Sequence, residues 1–525
     1  MITKYNIGIT LILSLSIVGG ILNSHIINDG YHWGFIYSNS TDFLYGKKPY
    51  EDIFLEYGFL QNLINVFLIK IFGDKIIIIQ YFIILIYASS LFFIYLIIQQ
   101  ITNNIKISFF SILLIFILYP WPTVPWPTFI SFFFSILFIF FYLKNKIIYS
   151  YLSGFALFFA YLSYTTLFNI IIFFYIIYLI FIFSLTKYLN YKSNHKFNIN
   201  FFITFIFLLS IFIYYLIINN IFLEWLSFQK IPFIVKENFN YSYITLIKDY
   251  FYFLFIYPIL NIIYEPQWVF YSFFFISNIF CFFCFFQKKS NEYKKLNLKL
   301  LNIFIFIFLL NILGQTKTLL YFSCSISLAI ICFAYLFDTL NKKDNKFIIS
   351  SLLVLLSIYC VFNYNMHYSK HAQSRSGSLK NLYNNNLISS NNIEYFKNFK
   401  WDKNYFDFLF KVEKKINSIN KNCNKIAGVN LTHDTFLYLL LKKNTIQKIP
   451  FYLTGSKYQF NEIFDPFLFS KVQNYIDNNN IIILSHKNSE KQLNFNKNYS
   501  FTKLKRITTK IIDDEYIIFY PKKCD

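Results

Sequence analysis

The chain has 525 residues, 56% of them hydrophobic and 23% aromatic, with a formal net charge of +22. A water-soluble domain does not sustain so many apolar runs of spanning length, so this composition excludes an ordinary soluble protein. Thirteen glycines leave no Gly-rich phosphate loop, neither a P-loop nor a dinucleotide fingerprint, which argues against ATP-driven chemistry in this chain alone. Nucleic acid is not an expected partner, because no basic-aromatic module accompanies the charge. Membrane lipid and anionic glycan are better matches for it.

A bilayer core of about 30 Å needs roughly 20 apolar residues per helix. Such runs recur at about 7–27, 76–98, 106–120, 127–143, 147–164, 167–186, 200–218, 266–287, 298–314, 317–337 and 346–362. The expected fold is therefore an α-helical polytopic membrane protein of about 11 transmembrane helices. The first run follows Lys4 but lacks a small-x-small cleavage pattern, and it reads as an uncleaved span. The apolar helix 59–72 is too short to cross and is expected to lie in the outer interface, ended by Gly73-Asp74.

Lysines fall on alternate loops. Lys106, Lys144, Lys146, Lys187, Lys192, Lys196, then Lys288 to Lys299 and Lys342 to Lys346, all mark one side, while on the other the tips 121–126 and 164–167 hold none and the long segments 28–75 and 219–265 hold seven. Under the positive-inside rule this puts the N-terminus in the cytoplasm and the C-terminus outside. From about Asn363 hydropathy falls. Residues 363–393 read as a Ser, Asn and Lys-rich linker, and 394–525 as a small extracytoplasmic α/β domain with strands at 425–430, 481–485 and 515–520 and helices at 433–442 and 469–478. The membrane part, 1–362, carries two longer outer segments, 28–75 and 219–265, the latter with Glu224, Trp225 and Glu237 as weaker candidates for a substrate cavity. Cys281 and Cys284 form a CxxC inside an apolar run and read as core residues. Asp434, after His433, reads as a helix cap. Cys423 and Cys524 both fall in the external domain, where a disulfide is chemically permitted, although sequence spacing leaves the pairing open.

Chemistry concentrates in the first outer segment, Asn28 to Gln61. It holds five acids (Asp29, Asp42, Glu51, Asp52, Glu56), His32 and four glycines in surroundings that are otherwise almost purely apolar. Ionisable groups at a membrane boundary are costly and suggest a site. Asp29 and His32 are three residues apart, which on a helix is one face. A carboxylate and an imidazole so placed can take a proton from an acceptor hydroxyl or amine, or hold a divalent cation through oxygen and nitrogen. The alternative is that Asp29 caps the next helix and His32 is an interfacial side chain.

The order of these residues is more specific than any one of them. Asp29, His32, then Gly46-x-x-Pro49-Tyr50-x-Asp52, then Glu56-Tyr57-Gly58-Phe59-Leu60 ahead of a short helix, resembles the first periplasmic loop of the GT-C superfamily of polytopic glycosyltransferases, such as protein mannosyltransferases and the lipid A aminoarabinose transferase. The resemblance covers the first hundred residues; beyond them it is one of topology. It implies a polyprenyl-phosphate-linked sugar donor, a cell-envelope lipid, glycan or protein acceptor, and a site at the outer face of a bacterial cytoplasmic membrane. It implies Asp29 as catalytic acid, with Asp52 and Glu56 shaping the donor or acceptor site. Many members carry Asp-Glu where this chain has Asp29-Gly30, and His32 stands nearest to the missing acid's place. No arginine precedes Arg375, which leaves Lys317, Lys47 and Lys48 as candidates to offset charge on the leaving phosphate, with Asp42 beside them. A divalent cation on Asp29 and His32 is the candidate cofactor. A flippase for lipid-linked glycan predicts internal symmetry, and an O-antigen polymerase or ligase predicts outer-loop arginines. Neither pattern is present.

Overall fold

The structure is a computed structural model. It describes residues 4–25, 30–53, 55, 58–122, 124–144, 146–188, 195–227, 229, 252, 256, 293–313, 319–341, 387–389, 394–397, 399–423, 426–430, 435–441, 481–486, 508–512 and 516–524. The chain is mostly helical, with a small sheet. Its contacts divide it into two compact units: residues 1–24, 80–215 and 239–383 form one, and residues 25–79, 216–238 and 384–525 form the other.

The first unit is a bundle of apolar helices: α1 (Lys4–Ser24), most of α4 (Ile76–Thr102), α5 (Ile105–Leu118), α6 (Pro127–Leu143), α7 (Ile147–Ser163), α8 (Thr165–Tyr188), most of α9 (His195–Ile218), α10 (Tyr293–Leu313) and α11 (Leu319–Asn341). Among the described residues, α1, α4 and residues 200–218 of α9 are long and apolar enough to cross a membrane. Helices α5, α6 and α7 are equally apolar but shorter. The expected spans 266–287 and 346–362 lie outside the described residues, as does the CxxC of Cys281 and Cys284.

Aromatic packing holds the bundle. The ring of Phe138 on α6 meets Phe306 at 4.7 Å, Phe201 at 5.4 Å and Tyr175 at 6.4 Å, joining four helices. A Cβ on Gly154 of α7 would stand 2.8 Å from the Thr204 side chain, so glycine lets α7 and α9 approach. Several buried side chains donate to backbone carbonyls, as an apolar medium favours. Ser16 Oγ donates to the Pro120 carbonyl (2.6 Å), Gln80 Nε2 to that of Pro122 (2.8 Å) and the Tyr87 hydroxyl to that of Tyr119 (2.6 Å). These three side chains pin the Pro- and Trp-rich link between α5 and α6, where backbone N–H groups are scarce because proline has none.

The second unit joins an early segment to the chain's far end. It contains α2 (Gly30–Leu44), α3 (Phe59–Phe72), a hairpin of β1 (Leu387–Ser389) with β2 (Lys400–Asp402), α12 (Lys403–Asn422) and α13 (Leu437–Leu441). A four-stranded sheet of order β3-β4-β6-β5 completes it, from β3 (Ala427–Asn430), β4 (Ile481–His486), β5 (Thr508–Ile512) and β6 (Tyr516–Pro521). The β3–β4 pair is parallel and the others are antiparallel. Residues 481–484 are all buried, which is why this strand reads as a continuous apolar run.

Helix α12 buries Phe406, Leu409, Val412, Ile416 and Ile419, spaced by three or four residues, and turns its lysines outward. Cys423, just past its end, forms a disulfide with Cys524, just past β6, with Cα atoms 5.4 Å apart. The expected strands at 425–430, 481–485 and 515–520 are present with shifts of one or two residues, and the helix expected at 433–442 is present over Leu437–Leu441. The expected helix 469–478 and the His433-Asp434 pair lie outside the described residues.

Candidate functional site

Helix α2 begins one residue after Asp29. Its middle is polar (Ser38, Asn39, Ser40, Thr41, Asp42), yet all five residues are buried. Hydroxyls satisfy themselves on the helix: Ser40 Oγ donates to the Ile36 carbonyl (2.9 Å) and Thr41 Oγ1 to that of Ser38 (2.9 Å). Ser40 also accepts from Asn65 Nδ2 of α3 (3.0 Å), and Asn62 Nδ2 donates to the Gly58 carbonyl (3.2 Å). Helix α3 buries polar residues beside apolar ones (Phe59, Leu60, Leu68 and Ile69). Gln61, Asn62 and Asn65 are buried against the unit, while Leu63, Phe67, Ile71 and Phe72 are exposed.

The other face of α2 packs on the C-terminal segment. Trp33 is fully buried and meets Phe399 edge to face at 5.2 Å. Gly34 lies against the Thr435–Phe436 backbone, where a Cβ would come within 2.6 Å of the Phe436 nitrogen. Just before α2, the His25 carbonyl accepts from the Lys400 N–H at 2.7 Å.

The GxxPYxD stretch forms a closed turn. Gly46 takes φ +77°, which frees the chain to reverse, and the Lys47 N–H donates to the Asp42 carbonyl. Lys47 Nζ pairs with buried Asp42 at 3.1 Å. Asp52 Oδ2 accepts from the Lys48 N–H at 3.0 Å, and the Asp52 N–H donates back to the Lys48 carbonyl at 2.9 Å. Tyr50, at φ +65°, is held in the left-handed region by its N–H on the Ile53 carbonyl. Lys48 also meets Glu51 at 3.2 Å, an exposed pair that adds little stability. Asp42, Lys47, Lys48 and Asp52 therefore all take part in holding this turn.

His32 lies in the first turn of α2. Its side chain, together with Asp29, Glu56, Lys317 and Glu237, lies outside the described part of the structure. Glu224 and Trp225 are described, Trp225 as a buried side chain. Among the described residues no group of three or more His, Cys, Asp or Glu side chains gathers in a way that could hold a metal ion. The side chains of the pair expected to take a cation, Asp29 and His32, are not among them.

The structure adds a residue that the sequence reading missed. Asp74, reached straight after α3 through Gly73 at φ +90°, accepts a hydrogen bond from the buried Tyr37 hydroxyl. The Tyr395 ring stands 6.2 Å from that of Tyr37, and the Tyr45 and Tyr395 hydroxyls lie near enough to influence each other and Asp74. Burial, with the Asp74 charge among the further causes, pushes all three phenols above the usual tyrosine range, so each keeps its proton at neutral pH. Asp74 is half-buried and Tyr45 is 44% exposed, so one side of the cluster opens to solvent. In sequence Asp74 reads only as the stop after a helix, and a tyrosine stands out little among 44.

Comparison with known proteins returns no match: no protein-family model fits the chain, and no curated protein aligns to it significantly.

Proposed function

We propose that the chain is a membrane glycosyltransferase of GT-C type, with about 11 spans in a bacterial cytoplasmic membrane. In this reading it moves a sugar from a polyprenyl-phosphate carrier to a cell-envelope acceptor at the outer face. The observation that carries the reading is the folded setting of the acid-bearing segment. Asp29 falls between the end of α1 at Ser24 and the start of α2 at Gly30, and α2 is locked by Trp33 and Gly34 onto the chain's C-terminal segment. A general base acts efficiently only when its position is held, and Asp29 directly precedes this packed helix in the sequence. The Cys423–Cys524 disulfide adds support for an oxidising, extracytoplasmic location of this unit.

The chemistry follows from the donor. Asp29 takes the proton from an acceptor hydroxyl or amine as that atom bonds to the anomeric carbon. The bond from that carbon to the phosphate oxygen breaks, and the polyprenyl phosphate leaves with the electron pair. A single displacement inverts the anomeric centre. Lys317, Lys47 or Lys48 offsets the charge on the leaving group, and the donor's phosphoester supplies the driving force without ATP. His32, three residues on in the sequence, is the candidate partner of the base.

The test is glycan transfer in membranes carrying wild type or Asp29→Asn at equal folded amounts, with polyprenyl-phosphate sugars as donors and native envelope lipid and glycan as acceptors. Transfer that collapses in the variant supports the assignment. Equal transfer by both proteins removes Asp29 from catalysis.

A further inference from the structure

The Asp74 cluster lies within the second unit and has no part in the role given above to Asp29. Its floor is the buried Tyr37 hydroxyl, which donates to the Asp74 carboxylate. One wall is Tyr395, from the turn Glu394–Phe396, packed edge-on against the Tyr37 ring. The rim is Tyr45, 44% exposed, its hydroxyl coupled to Tyr395 and Asp74.

We propose that Asp74, Tyr45 and Tyr395 form a subsite for a pyranose ring of the glycosyl acceptor. The naming of the acceptor rests on the glycosyltransferase reading; the sugar site itself rests on the cluster. A carboxylate accepts two hydrogen bonds from neighbouring ring hydroxyls, and phenols both donate and accept. A partly exposed tyrosine ring offers an apolar face to the C–H side of a sugar while its hydroxyl stays paired. A hard cation is a poor fit, because it calls for about six oxygens and usually several carboxylates, whereas the phenols here stay protonated. Neutral hydroxyls of an acceptor sugar are the class that suits both the charge and the aromatic rim.

The test uses the full chain in a detergent without a sugar headgroup, with the methyl glycosides of glucose, galactose and mannose as probes. Saturation-transfer NMR is expected to show transfer to ring protons in the wild type. Tyr45→Ala and Asp74→Asn are each expected to weaken binding about tenfold, the size of losing one hydrogen bond to a charged group. Tyr45 is exposed, so its variant tests the site without opening the core, and Tyr45→Phe separates the hydroxyl from the ring. The subsite is overturned if none of the three glycosides receives saturation, or if all receive it equally from wild type and Tyr45→Ala. Glycan transfer separates the two readings. An unchanged acceptor KM in Tyr45→Ala, with activity lost in Asp29→Asn, removes the subsite and leaves the transferase. Glycoside binding with no transfer from any donor does the reverse.

Discussion

Gly34 on α2 and Phe436 ahead of α13 are in backbone contact: a Cβ on Gly34 would stand 2.6 Å from the Phe436 amide nitrogen. A backbone atom cannot swing aside as a flexible side chain can. Gly34→Ala is therefore expected to lower the stability of the second unit by about 1–3 kcal/mol, the usual cost of overpacking. Thermal unfolding of purified protein, with limited proteolysis at the α2–α3 link, measures it. An unchanged melting temperature would mean that α2 and the Thr435–Phe436 segment do not touch.

Tyr37→Phe keeps the ring and removes only the hydroxyl that donates to Asp74. The expected loss is about 1.5–3 kcal/mol, typical of a hydrogen bond to a charged group. A double cycle with Asp74→Asn isolates the pair, and additive effects would deny the coupling.

The same phenols set an alkaline limit. Burial first, then the Asp74 charge, raises the pKa of Tyr37 in the folded protein; Tyr395 is raised by burial, then by Tyr45 and Asp74. Unfolded tyrosine titrates near about 10. Above that pH the unfolded chain sheds protons that the folded chain keeps, so the stabilisation is complete below about pH 10 and is lost as pH rises further. Denaturant midpoints between pH 8 and 11.5 should fall more gently in Tyr37→Phe and Tyr395→Phe than in wild type. Parallel slopes would sink the argument.

Cys423 and Cys524 close a loop with a sequence separation of 101, and replacing both with serine is expected to cost about 2–5 kcal/mol. Reductant should lower the melting temperature of the wild type to that of the double variant and leave the variant unmoved. If reductant has no effect on the wild type, the bond is not formed in the protein.

Helix α3 presents Phe67 at 63% exposure, with Leu63 and Ile71 one turn away on either side. A lipid interface is the expected neighbour of such a face. A single fluorophore attached through Phe67→Cys in liposomes should be quenched by nitroxide lipids, whereas one attached through Lys414→Cys on the outer side of α12 should not. Equal quenching at both positions would leave α3 without a lipid contact.

The elements that were legible in sequence are those with strong punctuation. The expected bounds of α3 and α6 coincide with the observed ones because Gly58, Gly73, Pro127 and Lys144 stop the apolar runs. Strands β4 and β6 are readable from runs of isoleucine. Helix α12 went unread because its charged residues obscured the regular return of Phe406, Leu409, Val412, Ile416 and Ile419. Strand β5 was missed because TTKII is short and half polar. The turn from Gly46 to Asp52 was visible as a motif, but its internal bonding was not, since Asp42 and Lys47 could equally have faced a substrate. Asp74 was hidden because its meaning depends on Tyr37 and Tyr395, and residue 395 lies most of the chain away.

That separation has a consequence for biogenesis. Residues 25–79 emerge from the ribosome early, whereas Phe399, Phe436 and the strands that complete their unit are among the last to be made. Until then Trp33 has no Phe399 to cover it and the polar middle of α2 lacks half its setting. The second unit is thus a high-contact-order assembly that cannot close before the segments from Phe399 onward are made. A chain cut between α3 and Phe399 would leave Trp33 and the polar middle of α2 without these partners, and so open to proteolysis.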